Sequence, residues 1–62
     1  MADLEIVYNI LEDALKKEKM AEDNCQKILE QLKINGFHDQ VEKIKNDEIN
    51  HQQIIKELMT LL

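Results

Sequence analysis

Glu48 and His51 stand three residues apart inside KNDEINHQQIIKEL (45–58), a stretch with helical periodicity. Residues i and i+3 share one face of a helix, so a carboxylate and an imidazole leave this segment on the same side. That pair of groups suits Fe, Mn or Zn. A third residue of the same kind, Glu18, lies in the first half of the chain. Three ligands do not close a coordination shell, so a site built from them needs more donors than one chain supplies.

The elements that would carry these residues are helices. The chain has no proline and one glycine, Gly36, and it is rich in Leu, Ile, Glu, Lys, Gln, Ala and Met. Asn35 and Gly36 tolerate the left-handed conformation that ends helices. The pattern therefore predicts a helix over about 3–34, a turn at 35–36 and a second helix over about 37–61. Asp3 is the expected N-cap of the first, and Asp39 the acid in the first turn of the second. So short a connection makes the helices antiparallel neighbours in a hairpin.

A seam with alternating spacings of three and four runs along each helix. In the first it reads Leu4, Val7, Leu11, Ala14, Glu18, Ala21, Cys25, Ile28 and Leu32. In the second it reads Phe37, Val41, Ile44, Glu48, His51, Ile55, Leu58 and Leu62. Such spacing keeps a set on one helical face. The polar interruptions are Glu18, Glu48 and His51. At about 1.5 Å of rise per residue, Glu18 lies roughly 24 Å from the turn, His51 about 21 Å and Glu48 about 16 Å. Antiparallel pairing thus brings the three to similar heights. A lone polar residue on such a seam commonly sets register. Three ligand types at one height are another matter, because a buried, unpaired carboxylate costs several kcal/mol. No lysine lies on either seam to neutralise them. A divalent metal is the expected counter-charge.

Length and charge narrow the classes. A chain of 62 residues is one domain at most, or part of one. A core this small is marginal without a metal, a disulfide or a second chain. A single cysteine, Cys25, forms no internal disulfide and fits a reducing compartment. The net charge of −5, from 13 acidic and 8 basic residues, disfavours nucleic acid and anionic membrane surfaces as partners. No apolar run reaches the roughly 20 residues of a membrane span. MADLEIVYNIL lacks the basic start and long apolar core of a signal peptide. The cytoplasm is the expected location.

Two hairpins packed face to face make a four-helix bundle and double the trio across a two-fold axis. Di-iron and di-manganese carboxylate bundles are built in this way, with one Glu from each of two helices and Glu-x-x-His from each of the other two. At this point the chain resembles the ferritin-like superfamily, and within it the rubrerythrin-like branch. DEINH (Asp47–His51) is similar to that family's Asp-Glu-x-x-His, and EKMAEDNC (Glu18–Cys25) to its Glu-x-x-Ala-x-x-x-Tyr, with Cys25 where tyrosine is common. The resemblance covers nearly the whole chain but only half of the usual four-helix domain.

The resemblance implies that Glu18, Glu48 and His51 are metal ligands, with Glu48 bridging two ions, and that a homodimer or higher homo-oligomer holds two Fe ions per dimer, with Mn or Zn as alternatives. It implies oxidation of Fe(II) by O2 or peroxide, with no catalytic residue beyond the ligands. Asp47 is either an outer hydrogen-bonding partner of a ligand His or a solvated helix residue. Cys25 is expected as a small buried hydrophobe, with an outer, redox or ligand role at the site as the alternative. Glu22, one turn from Glu18, is expected at the surface, with an outer role at the site as the alternative. No Cys-x-x-Cys pair is present for a rubredoxin-type iron centre, so electrons for peroxide reduction would come from an unidentified donor. His38 opens the second helix with no evident partner. The competing class is a non-catalytic helical-hairpin module that oligomerises or merely binds a metal.

Overall fold

The computed structural model describes residues 3–62. The described residues form two α-helices, α1 (Leu4–Gln31) and α2 (Asn35–Thr60), packed antiparallel as a hairpin. The molecule is a rod of 51 × 14 × 12 Å with a radius of gyration of 14.7 Å. A compact chain of this length has a radius of about 11 Å. The hairpin exposes 4969 Å², whereas a compact monomer of 7.3 kDa exposes about 4200 Å².

The reversal comes earlier than the glycine predicts. The chain leaves α1 at Leu32 (φ −133°, ψ 111°) and enters α2 from Ile34 (φ −104°, ψ 121°), both extended. Asn35 and Gly36 are the first two residues of α2, and no described residue has a positive φ. Three residues, with Leu32 and β-branched Ile34 extended, turn the chain without a left-handed cap. The freedom that made Gly36 look like punctuation goes unused, and a side chain there would meet nothing within 4 Å.

The helix starts also differ in detail. Asp3 occupies the N-cap position of α1, but its side chain makes no cap; its carbonyl accepts the Val7 N–H at 3.0 Å. Glu5 supplies the first-turn acid that favours a helix N-terminus. At α2 the N-cap is Ile34, whose carbonyl accepts the His38 N–H at 2.7 Å. Because α2 begins two residues earlier than expected, Asp39 falls beyond its first turn.

The contact between the helices is rotated relative to the expected seams. On α1, Leu11, Ala14, Leu15, Glu18, Ala21, Glu22, Cys25 and Leu29 are at least half-buried, while Leu4, Val7, Ile28 and Leu32 are exposed. On α2 the covered residues are His38, Val41, Lys45, Glu48, Gln52, Ile55 and Met59; Phe37, Ile44, His51, Leu58 and Leu62 are exposed. Each apolar stripe is wider than one neighbour can cover, so the helices share one edge of it and leave the other open. The angular positions of these residues put the open edges on the same side of the hairpin. Among the described residues, Cys25, Leu29 and Val41 alone form a buried apolar core, against sixteen large apolar side chains left exposed. No described helix is long and apolar enough to cross a membrane.

Candidate metal centre

Glu18 lies on the part of α1 that faces α2, and Glu48 on the facing part of α2. His51 projects from the edge of α2 next to the open apolar flank. Glu18 and Glu48 each sit within a residue of the midpoint of their helix. Glu18 Oε1 is 3.4 Å from His51 Nδ1. One ligand atom from each of Glu18, Glu48 and His51 lies within 4.8 Å of the other two. Donors held about 2.0–2.2 Å from one ion lie at most about 4.4 Å apart, so a small closure of the trio fits a cation.

The electrostatics leave a charge that a proton or a cation relieves. The Glu18 side chain is 26% exposed, yet its Oε2 is buried and has no donor when its neighbours are ionised. Glu48 is held above the ordinary glutamate pKa, first by the hydrogen bond that its protonated form donates to Glu18. Burial and the negative charges of Glu18 and Asp47 add to the rise, and His51 opposes it. Two carboxylates in contact, one with an orphaned oxygen, are stabilised either by a shared proton or by a metal ion. His51 is 53% exposed, so the trio opens to solvent on the apolar flank. No enclosed cavity is formed among the described residues.

The outer residues sort differently from the expectation. Cys25 is buried with Leu29 and Val41 and stands apart from the trio, in keeping with the role of a small hydrophobe. Asp47 is exposed, and its charge bears on Glu48. Glu22 is half-buried, and its Oε1 accepts a 2.7 Å hydrogen bond from Gln52 Nε2. It is neither a solvated surface acid nor a member of the trio.

Gln52, only 7% exposed, is the most buried polar residue of the described chain. The sequence reading did not single it out, nor Lys45 and Gln26, which also join the helices through a 2.6 Å bond from Lys45 Nζ to Gln26 Oε1. Hydrophobic periodicity carries no trace of such polar rungs. The available signal was chemical: Gln52 lies one turn from Glu48, and Glu22 one turn from Glu18.

A second group of ligand types, His38, Asp39 and Glu42, also converges within 4.8 Å. His38 Nδ1 lies 3.7 Å from Glu42 Oε2, which gives it the partner that the sequence did not reveal. Asp39 and Glu42 are exposed and His38 is half-buried, with no orphaned buried oxygen among them, and His38 and Glu42 form an ordinary i,i+4 arrangement. Comparison of the chain with protein-family models, with curated proteins and with solved structures finds no match.

Proposed function

We propose that two hairpins pair through their open apolar flanks into a ferritin-like four-helix bundle with a dinuclear metal centre at its middle. The observation that carries this reading is the convergence of Glu18, Glu48 and His51, with a buried Glu18 oxygen that lacks a donor. The exposed flank supports it. The hairpin shows roughly 800 Å² more surface than a compact monomer, which is about one partner's share of a standard interface. The height of the trio supports it as well. A two-fold axis through the mid-length of the rod and perpendicular to it overlaps the two chains along their whole length. The same axis sets two trios face to face, so that four carboxylates and two imidazoles surround one region. A similarity to the rubrerythrin-like branch of ferritin-like proteins, carried by DEINH and EKMAEDNC, points the same way.

In this dimer Glu18, Glu48 and His51 of each chain hold two metal ions, iron in the first instance and Mn or Zn as alternatives. Paired iron supplies two-electron redox chemistry toward O2 or peroxide. The protein's own part is to supply negative charge, orient the ligands and surround them with apolar side chains. The reading makes the protein an Fe(II)-oxidising homodimer or higher homo-oligomer of the cytoplasm. It takes electrons for peroxide reduction from a separate donor and has no nucleic-acid or membrane partner.

Anaerobic titration of the apo-protein with Fe(II) tests this. One iron per chain, together with a mass of at least two chains in solution, is the expected result. A folded protein that binds no iron would overturn the site. An iron-loaded protein inert to both O2 and peroxide would instead leave a non-catalytic metal-binding hairpin.

A further inference from the structure

The Glu22–Gln52 contact lies closer to the trio than residue numbers suggest. By helical rise, Gln52 lies farther from the turn than Glu22 by more than one helical turn, an offset that their side chains span. Side chains on a helix lean toward its N-terminus, and in an antiparallel pair these two therefore lean toward each other. They meet about halfway, at the level of Glu18 and Glu48. The Glu22 carboxylate thus stands level with the trio, on the flank of the helix pair away from His51. An untethered glutamate one turn from Glu18 has the reach to swing toward an ion bound there. Here its Oε1 is held at 2.7 Å by the amide of Gln52, itself almost fully buried and fixed between the helices.

We infer that Gln52 is a positioning residue that withholds Glu22 from the metal, keeping each chain's contribution at two carboxylates and one imidazole. The inference rests on the proposed metal centre. A charge argument supports the need for it. Two trios already bring four carboxylates around two divalent ions, which matches the ions' charge. Two further glutamates would give the site excess negative charge and fill coordination positions that a small oxidant requires. Gln52 donates a hydrogen bond without adding charge, so it satisfies Glu22 where it stands.

The test uses Co(II), whose visible absorption weakens as coordination number rises, so that the readout is spectroscopic and independent of turnover. Wild type, Gln52→Leu, Glu22→Gln and the double variant are titrated with Co(II), their helicity being checked by circular dichroism. Gln52→Met replaces Gln52→Leu if the latter does not fold. The expected result is that Gln52→Leu binds Co(II) at least about tenfold more tightly, with a weaker absorption band. Glu22→Gln alone leaves both unchanged, and the double variant returns to wild-type behaviour. A Gln52→Leu protein with the wild-type spectrum and affinity overturns the inference while leaving the metal centre intact. A loss of affinity in Glu22→Gln alone overturns it too, since Glu22 would then already be a ligand. Wild type that binds neither Co(II) nor Fe(II) removes the centre and the inference together.

Discussion

On one flank of the hairpin Gln52 donates to Glu22 and Lys45 donates to Gln26; on the other Glu18 and Glu48 press two carboxylates together beside His51. Both regions place polar groups between the same two helices, and the groups are nearly the same size. They differ in what is left over. In the first region each acceptor has its donor, an amide or an ammonium. In the second a carboxylate oxygen is buried with no donor, and the neighbouring acid holds its proton above the ordinary range. A satisfied polar crossing fixes how two helices meet and asks for nothing further. An unsatisfied one carries a standing cost that a proton, a metal or a partner relieves. The proposed metal centre lies at the second.

The most direct way to break the contrast is to turn one region into the other. Glu48→Gln is nearly isosteric and makes the Glu18 contact chemically equivalent to the Glu22–Gln52 rung. Metal uptake should fall by at least about a hundredfold, because an amide replaces a charged ligand. Calorimetry or a competitive chelator assay reads this directly. Uptake within a few-fold of wild type would show that Glu48 is no ligand and that the two regions differ only in appearance.

The same variant has a second, smaller effect of opposite sign. Without metal, Glu48→Gln removes the contact between two acids and supplies a donor to Glu18. The apo-protein should gain about 1 kcal/mol, or about 4–8 °C in Tm for a domain of this size, at matched protein concentration. The pH dependence follows from linkage. Glu48 is raised in the folded state, so between its ordinary and raised pKa the folded chain binds more protons than the unfolded one. Stability therefore falls as pH rises through that interval, and it is recovered as pH falls toward the ordinary glutamate range. The metal-loaded protein should show the reverse, since protons compete with the ion for the carboxylates. Thermal unfolding with chelator and with Mn(II) across that interval separates the two trends. Parallel trends, or a wild-type slope retained in Glu48→Gln, would contradict the shared-proton description of the apo site.

How much of this was legible from residues alone depends on the kind of signal. The helices, their antiparallel pairing and the meeting of Glu18 with Glu48 and His51 follow from long periodic segments and from constant helical rise, both robust to small errors. The turn was misplaced by two to three residues because Gly36 permits a left-handed cap without requiring one, and the Leu32–Ile34 segment, extended at both its ends, made the reversal instead. The seams were drawn through Ile28, Leu32, Ile44 and Leu58, all of which are exposed in the hairpin. Periodicity identifies an apolar face without saying which part of it meets which neighbour, and an apolar face can be wider than one neighbouring helix covers. Gln52, Gln26 and Lys45 left no mark in the pattern, because a long polar side chain at a contact looks the same in sequence as one in water.

The smallest expected effect sharpens the comparison at its other end. Lys45→Ala removes the donor to Gln26 on a rung that water reaches freely. Exposed polar contacts of this kind contribute little, because the freed amide oxygen is hydrated at once and the lysine side chain regains its rotamers. The cost should stay within about 0.5 kcal/mol, seen as a small change in Tm at fixed protein concentration, and metal affinity should stay within about twofold of wild type. The rung is three residues from Glu48, so the result is informative either way. If Lys45→Ala instead lowers metal affinity severalfold, the rung helps set the distance between Glu18 and Glu48, and the two flanks form one coupled network. If both numbers hold, the satisfied crossings act as local fasteners whose loss the hairpin tolerates, and the capacity to bind stays with the one crossing that the chain cannot satisfy by itself.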